Sequence, residues 1–405
     1  MTVARLVVSI TLLGALLAPA ASTAAGPDAT RASLASQMRF AGGSSGALVL
    51  DLEDGSTIYS QQPDTARVPA SVEKLYTTAT ALLRFGPEAQ LQTTVQAPVA
   101  ADDLGVLDGD LYLRGAGDPT LRAADLRALA SDLVAVTGLV EVSGRVIGDE
   151  SLFDSLRGPP SSRFRTSGYV GPLSGLLVDR GRTGKRRPYF QTRPALHAAQ
   201  IFHDALKDLG ITMRKAPRTG LTPEGAPTLV AHASPPIAEL ARRANVPSDN
   251  LIAEQMLKAV GAKYGTGGST AAGAAVAAST LSAFGLRPRI SDGSGLGRSN
   301  LTTPRQVVRL LSELSGHEHY APFRDSLAVA GRTGTLHDRM RRSPARDRCR
   351  AKTGTLLSVS TLAGYCQTRG GQLVAFAILM NRVNPFGARR LQDAMLGALA
   401  RYDAG

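Results

Sequence analysis

The chain has 405 residues, of which 43% are hydrophobic and 20% charged, and its 46 Lys and Arg outnumber its 33 Asp and Glu. This composition is typical of a globular protein of two to three domains and excludes a disordered or collagen-like chain. Two cysteines are too few for a disulfide-built scaffold or a four-cysteine zinc site. The absence of Trp and an aromatic content of 5% argue against base-stacking readers of nucleic acid, so we expect no nucleic-acid partner.

The first 25 residues have the pattern of a secretory signal peptide. A positively charged start ending at Arg5 precedes an apolar run, Leu6 to Leu17, that is too short to span a bilayer. Small residues follow and offer cleavage candidates after Ala20 and Ala25. We therefore expect an exported protein (periplasmic, cell-wall-associated or secreted) with no transmembrane anchor after signal removal. An uncleaved N-terminal anchor is the alternative.

The rest of the chain predicts one α/β domain that is split by an insertion. A strand at 47–52 and a second at 56–59 form a hairpin, and apolar residues at helical spacing then run to Leu83. Residues 91–231 alternate short β-like pieces with Gly-rich turns, which is typical of a separate β-rich domain. The later predicted elements are helices over 235–314, strands at 352–365 and 372–381, and an amphipathic helix at 388–402. The predicted division is a signal peptide (1–25), a first part (26–90), the inserted domain (91–231) and a second part (232–405).

Three short motifs with catalytic side chains follow one another along the chain. They are Ser71-Val72-Glu73-Lys74, Ser248-Asp249-Asn250 and Lys352-Thr353-Gly354-Thr355. Each is weak alone, since Ser and Asp are also common helix caps. In this order, and behind a signal-peptide pattern, they match the trio of penicillin-binding proteins and β-lactamases.

The spacing of the first motif suits nucleophilic catalysis. A serine hydroxyl needs a nearby base, and on a helix Lys74 shares a face with Ser71 three residues before it. A lysine acts as a base only when neutral, which requires burial or a second positive charge, and Lys352 could supply that charge. Backbone N–H groups at the start of the helix can stabilise an oxyanion. In the second motif, a hydroxyl can pass a proton to the leaving amine and an amide can bind the substrate backbone.

The third motif has a near-duplicate upstream at residues 331–336, Gly-Arg-Thr-Gly-Thr-Leu. The downstream copy continues into apolar strands, whereas the upstream copy runs into a polar, Arg-rich stretch that is typical of a loop. We therefore assign the role to Lys352 and not to Arg332. The ammonium of Lys352 and the hydroxyls of Thr353 and Thr355 suit a terminal carboxylate.

Together these blocks resemble the class C low-molecular-mass penicillin-binding proteins, the D-alanyl-D-alanine carboxypeptidase/endopeptidases. The resemblance extends from about Gly46 to the end of the chain, and it includes further blocks at 115–121, 292–298, 334–339 and 362–365. It implies a β-lactamase-like domain, an antiparallel sheet flanked by helices plus a helical part, with a domain inserted between the first two motifs. The family's inserts are longer, so the shorter gap here implies a reduced insert.

The resemblance also implies the roles of the residues. Ser71 would be the acylated nucleophile and Lys74 its base, while Ser248 and Asn250 would shape the cleft. Lys352 and the substrate-binding Thr353, Gly354 and Thr355 would hold the substrate carboxylate, and the N–H groups of Ser71 and Thr355 would form the oxyanion hole.

The sequence thus predicts a serine DD-peptidase that cleaves D-alanyl-D-alanine bonds, and possibly cross-bridges, in peptidoglycan stem peptides. β-Lactams are expected to inhibit it by acylating Ser71. No cofactor or metal is expected, because His317 and His319 have no obvious third ligand and the other histidines are scattered. The alternatives are a β-lactamase of the same fold and a non-catalytic wall-binding protein.

Cys349 and Cys366 are predicted to form a disulfide, since export makes the bond possible and an antiparallel hairpin can place them opposite each other. In that register Lys352 is opposite Ala363, Thr355 is opposite Ser360, and 356–359 form a four-residue turn. Cys349 lies an odd number of residues from Lys352, so the bond would be on the other face of the sheet. Two free thiols in a core are the alternative.

Overall fold

The structure is a computed structural model that describes residues 25–184 and 189–404, so the predicted signal peptide, apart from Ala25, lies outside the described residues. The α-helices are α1 (Pro27–Phe40), α2 (Lys74–Phe85), α3 (Ala123–Thr137), α4 (Pro194–Asp208), α5 (Ile237–Asn245), α6 (Asn250–Tyr264), α7 (Thr270–Ser282), α8 (Pro304–Ser315), α9 (Tyr320–Asp325) and α10 (Pro385–Leu399). The strands are β1 (Ser45–Asp51), β2 (Thr57–Gln61), β3 (Gln92–Gln96), β4 (Val106–Leu107), β5 (Leu111–Arg114), β6 (Glu141–Val142), β7 (Val146–Asp149), β8 (Arg182–Thr183), β9 (Tyr189–Phe190), β10 (Thr212–Met213), β11 (Arg218–Thr219), β12 (Thr228–Ala233), β13 (Ala328–Val329), β14 (Cys349–Leu356), β15 (Val359–Gln367) and β16 (Leu373–Asn381).

A six-stranded antiparallel sheet in the order β13-β14-β15-β16-β1-β2 forms the centre of the main body. Alternate residues of β16 point to opposite faces of this sheet. Ala375 and Leu379 pack with α2 and α5 to α8 on one face, and Phe376 and Ile378 pack with α1 and α10 on the other. The sheet is therefore covered by helices on both faces, as expected for a penicillin-binding or β-lactamase-like α/β fold.

The segment 92–233, which we call the inserted segment, forms its own sheets. Five strands are ordered β11-β7-β5-β3-β12, and three short parallel strands are ordered β10-β6-β4. The segment also contains α3 and α4, of 15 residues each, which the sequence analysis did not predict. Their apolar residues, such as Leu126, Leu129 and Leu133 of α3, recur at helical spacing and are buried in one core with the strands. This apolar spacing indicates helices, but the neighbouring Gly-rich turns favoured a prediction of short strands.

The two ends of the inserted segment lie side by side. Its first strand pairs with its last, so that Gln92 is opposite Ala233. Just outside this pair, Leu91 and Ser234 exchange hydrogen bonds: the N–H of Ser234 donates to the carbonyl of Leu91 at 2.9 Å, and the hydroxyl of Ser234 accepts from the N–H of Leu91 at 2.9 Å. The segment thus leaves and re-enters the main body at one point. The domain limits at residues 91 and 231 stay a prediction.

The disulfide between Cys349 and Cys366 and the predicted hairpin register are both confirmed. The bond joins β14 to β15, and Lys352 pairs with Ala363, Thr355 with Ser360 and Leu356 with Val359. The two cysteines pack on the side of α10, whereas Ala363 packs with α2 on the other side. The bond therefore lies on the face of the sheet away from the first motif.

Among the helices of the described residues, none combines the length and the apolar character needed to cross a bilayer.

Candidate active site

Ser71 lies in a tight turn that leads into α2. Residues Ala70–Glu73 form a 3₁₀ helix and α2 begins at Lys74, so Ser71 precedes the α-helix that the sequence suggested it would start. Residues i and i+3 of a 3₁₀ helix are nearly eclipsed, so Ser71 and Lys74 still share a face. Ala70 has a left-handed φ of 47°, which is unfavourable for alanine and is typical of functional turns. The hydroxyl of Thr361 on β15 fixes this turn by donating to the carbonyl of Pro69 at 2.6 Å.

The Lys74 ammonium is fully buried and lies at the centre of the site. Its Nζ is 3.1 Å from Ser71 Oγ, 2.7 Å from Asn250 Oδ1 and 2.7 Å from the backbone carbonyl of Ser294. The first two contacts join the first and second motifs, which are far apart in sequence. Lys74 is therefore in hydrogen-bond reach of the serine hydroxyl that it would deprotonate.

The second motif begins α6 and contacts the inserted segment. Asp249 caps α6, since its Oδ1 accepts from the N–H of Ile252 at 3.0 Å, and its Oδ2 accepts from Arg180 at 2.6 Å. The Asn250 side-chain NH₂ donates to the carbonyl of Tyr169 at 3.0 Å. That bond orients the amide so that its oxygen faces Lys74. Ser248 has a left-handed φ of 63°, and in this structure Lys74 contacts Asn250 and not the Ser248 hydroxyl.

The third motif lies on β14 and forms the opposite wall of the cleft. Lys352 is fully buried, and its Nζ donates to the carbonyl of Thr353 at 2.9 Å. The Thr353 hydroxyl donates to that of Thr335 at 2.8 Å, while Thr355 is exposed and accepts from Arg389 at 3.2 Å. Thr335 belongs to the upstream near-duplicate, which forms a 3₁₀ turn and not a strand. Its Arg332 is surface-exposed and paired with Asp347 at 2.6 Å.

Gly354 lets β14 approach the Ser71 turn closely. A Cβ atom on Gly354 would lie 2.7 Å from the Pro69 carbonyl and 2.9 Å from the backbone nitrogen of Ser71. Any larger residue would push the strand away from the serine. The close approach favours an oxyanion hole built from the N–H groups of Ser71 and Thr355, which stays a prediction.

Burial lowers the pKa of Lys74 to about 8, whereas the charges of Glu254 and Asp292 oppose that shift. Burial is thus the main reason that Lys74 can be a base near neutral pH. The sequence suggested that the charge of Lys352 would lower the pKa of Lys74. The structure shows the reverse influence, since burial and then the positive charge of Lys74 lower the pKa of Lys352 well below its usual value.

Two buried carboxyl groups lie beside Lys74. Glu73 is fully buried and both its oxygens lack a hydrogen-bond partner among the described residues. Burial, then Asp292 and Glu254, raise its pKa well above its usual value, a shift that favours the neutral form of the acid. Burial and then Asp292 raise the pKa of Glu254 to about 7.

Several groups in this site lie outside the three predicted motifs. The carbonyls of Ser294 and Tyr169 have no sequence signal, because every residue carries a backbone carbonyl. Glu254 could have been found, since it lies four residues after Asn250 and so shares its helix face.

A cavity of about 230 Å³ adjoins the second motif, between it and the inserted segment. Tyr169, Arg180 and Phe190 line it on one side and Ser248 and Asn250 on the other. The cavity therefore lies beside Asn250, whose amide oxygen contacts Lys74.

The histidine pair does have a potential third ligand. In the described residues, ligand atoms of His317, Glu318 and His319 lie within 4.8 Å of one another. This corrects the expectation that no third ligand is near. These residues lie between α8 and α9, outside the three motifs.

The chain matches known proteins over almost its whole length. The family described as D-Ala-D-Ala carboxypeptidase 3 (S13) matches residues 29–188 and 189–402. The D-alanyl-D-alanine carboxypeptidase of Actinomadura sp. (strain R39) is 30% identical over 480 residues, which cover 97% of this chain and 88% of that protein. The carboxypeptidase DacB of Mycolicibacterium smegmatis is 30% identical over 384 residues, which cover 88% of this chain and 80% of that protein.

Solved structures share the fold. Penicillin binding protein 4 (dacB) from Haemophilus influenzae has a TM-score of 0.77 at 21% identity, over 89% of this chain and 97% of that chain. The same protein is also known in complex with a novel β-lactam. The resemblance inferred from the motifs is confirmed: the chain belongs to the D-Ala-D-Ala carboxypeptidase 3 (S13) family, and it is a low-molecular-mass penicillin-binding protein and a serine-type peptidase.

Proposed function

We propose that this protein cleaves the terminal D-Ala-D-Ala bond of peptidoglycan stem peptides with Ser71 as the nucleophile. The observation that carries the proposal is the 3.1 Å contact between Lys74 Nζ and Ser71 Oγ inside a pocket that lowers the pKa of Lys74. A buried amine with a pKa of about 8 has a substantial neutral fraction near neutral pH.

The acylation step has a balanced proton path. Ser71 Oγ forms a bond to the carbonyl carbon of the penultimate D-Ala as its proton moves to Lys74 Nζ. The N–H groups of Ser71 and Thr355 stabilise the carbonyl oxygen as it becomes negative. When the C–N bond breaks, the proton passes to the amine of the departing D-Ala, with the Ser248 hydroxyl as the relay. Water then hydrolyses the ester by the same route in reverse.

The strand side of the cleft binds the substrate carboxylate. Lys352 lies on β14 beside the buried Thr353 and three residues before the exposed Thr355, and the two hydroxyls offer hydrogen bonds to a carboxylate. Arg389 reaches Thr355 at 3.2 Å and adds positive charge at the rim. A carboxyl-terminal peptide matches this arrangement better than an internal peptide bond does.

β-Lactams acylate the same serine because their ring amide takes the place of the scissile bond. We further propose that the protein works outside the cytoplasm, where peptidoglycan is found, since its first residues have a signal-peptide pattern.

The test is covalent labelling. Purified protein is incubated with a fluorescent penicillin, digested, and the modified peptide is identified by mass spectrometry. We expect one adduct on Ser71, and release of D-Ala from a synthetic pentapeptide that ends in D-Ala-D-Ala.

Ser71→Ala is expected to abolish both labelling and D-Ala release while the far-ultraviolet circular dichroism is unchanged, because the substitution removes one partly exposed hydroxyl. An adduct on another serine in this variant would remove Ser71 as the nucleophile.

A further inference from the structure

Glu254 occupies a position that connects the second motif to the loop behind Lys74. It lies one helical turn after Asn250 on α6, so both side chains project from the same face. Asn250 contacts Lys74 directly, whereas Glu254 is fully buried and turns toward residues 292–297. This loop carries the Ser294 carbonyl that accepts from Lys74 at 2.7 Å.

Glu254 binds this loop with both carboxylate oxygens. Its Oε2 accepts from the N–H of Gly293 at 3.1 Å and its Oε1 from the N–H of Ser294 at 2.9 Å. On the other side, the Thr77 hydroxyl of α2 donates to the Gly293 carbonyl at 2.9 Å. The peptide unit between Gly293 and Ser294, directly before the carbonyl that accepts from Lys74, is thus held between α6 and α2.

The rest of the loop is held internally. Asp292 accepts from the N–H groups of Gly295 and Gly297 at 2.8 and 2.7 Å, and from the Asn300 amide at 2.8 Å. Asp292 therefore shapes the loop, while Glu254 anchors it to the helix that carries Asn250.

We infer that Glu254 is a positioning residue for the peptidase reaction, which fixes the Ser294 carbonyl against Lys74 and supplies a buried negative charge for the ammonium that Lys74 becomes. The inference rests on the proposed function, in which the Ser71 proton moves to Lys74 as the Ser71 oxygen forms its bond to carbon. A carboxylate nearby stabilises that newly formed positive charge.

Other charged groups also face this pocket, so the effect of Glu254 must be separated from theirs. Among the carboxylates, Glu254 opposes the lowering of the Lys74 pKa most strongly and Glu73 least. The charged groups that face Lys74 and Glu254 are Glu73 before α2, Asp249 and Lys258 on α6, Asp292 in the loop and Lys352 on β14.

Glu254→Gln removes the charge but keeps a side chain of the same shape, with one oxygen that can still accept from an N–H. The charged form of Glu254 raises the Lys74 pKa, so its loss lowers that pKa, and neutral Lys74 persists to lower pH. We expect the acid limb of the pH profile for penicillin acylation to move down by about one pH unit. We also expect the plateau rate to fall about 10-fold, because the new ammonium loses its partner.

Glu73→Gln is the matched control in the same pocket. Glu73 makes no hydrogen bond in the described residues, and of the four acidic groups it affects the Lys74 pKa least, so the same substitution should move the midpoint of the acid limb much less than Glu254→Gln does. Glu239→Gln is the surface control, since Glu239 pairs with Arg242 and Arg243 away from the site.

Glu254→Asp separates charge from placement. It keeps the charge but draws the carboxylate back from the Gly293 and Ser294 N–H groups, so the plateau rate should fall with little change in midpoint. If circular dichroism shows that Glu254→Gln does not fold, Glu254→Asp decides the question. An unchanged plateau rate in Glu254→Asp would overturn the inference.

A Glu254→Gln midpoint equal to that of wild type, with a lower plateau, would mean that Glu254 is merely structural. Wild-type protein that is not acylated at Ser71 would instead overturn the proposed function, so the two failures are distinguishable.

Discussion

The two lysines of the cleft, Lys74 on the helix side and Lys352 on the strand side, are equally buried but differently surrounded. Lys74 contacts a serine hydroxyl, an amide oxygen and a carbonyl, and buried carboxyls lie next to it. Lys352 donates to one neighbouring carbonyl, and the charge that most affects it is the positive charge of Lys74. Lys74 thus lies where its amine can receive a proton and pass it on, whereas Lys352 lies where its amine has no negative ligand among the described residues.

This difference fits the separate roles that the proposed function gives to the two lysines. A proton carrier must be stable in its neutral and its charged form, and the mixed surroundings of Lys74 provide for both. Lys352 lacks a counter-charge in the described residues, so we expect a substrate carboxylate to supply it and to raise the Lys352 pKa on binding.

Among the substitutions that test the comparison of the two lysines, Lys74→Ala is expected to have the largest effect on the reaction rate. General-base catalysis contributes about 10²- to 10⁴-fold, so we expect the rate of penicillin acylation to fall about 10³-fold. The neutral form of Lys74 increases with pH, so the wild-type rate should rise through pH values near the Lys74 pKa of about 8. The variant should lose this rise. Stopped-flow measurements of penicillin acylation between neutral and alkaline pH give both the rate and its rise with pH. A variant that keeps the wild-type pH profile would show that Lys74 is not the base.

Lys352→Ala is expected to cost about 10²-fold in kcat/KM for a peptide with a free terminal carboxylate, as for other lost electrostatic groups. The loss should be much smaller for the same peptide with an amidated terminus, because the role of Lys352 depends on the substrate charge. Arg332→Ala is the matched control, since Arg332 belongs to the near-duplicate and is paired on the surface with Asp347. A larger loss for Arg332→Ala would reverse the assignment of the two copies.

The smallest effect on activity is expected for the double substitution Cys349→Ser and Cys366→Ser. The bond closes a short loop, so its loss should lower the free energy of unfolding by about 3 kcal/mol in the chain-entropy description. It lies on the face of the sheet away from the first motif, so acylation of the folded variant should change little. Denaturant titration and acylation rates measure the two quantities. A loss of acylation comparable to that of Lys352→Ala would show that the bond holds the strand side in place.

The sequence predicted the strand side of the cleft better than the helix side. Cys349, Cys366 and the four-residue turn specify the register of β14 on β15. Once one residue pair of an antiparallel ladder is fixed, the other pairs are fixed with it. On the helix side, Lys74 meets groups from three separate parts of the chain. The contact with Asn250 could be expected from a motif, but the contact with the Ser294 carbonyl depends on tertiary folding that no local pattern encodes.

The remaining differences have local causes. The turn before α2 is 3₁₀ and begins with Ala70 in a left-handed conformation, which alanine does not signal. The helices α3 and α4 were missed although their apolar spacing was present, because glycine-rich stretches on either side indicated turns.

The junction at Leu91 and Ser234 has a consequence for how the chain reaches this fold. A disordered loop in place of the inserted segment would oppose docking of α2 against α5 through its closure entropy, by about 4 kcal/mol relative to a short turn. Once β3 and β12 have paired, Leu91 and Ser234 are held next to each other. Closing the main body around this short link then costs little of that loop-closure entropy. We therefore expect folding to be faster when the inserted segment forms first, and Lys74 and Asn250, which lie on either side of the junction, to come together last.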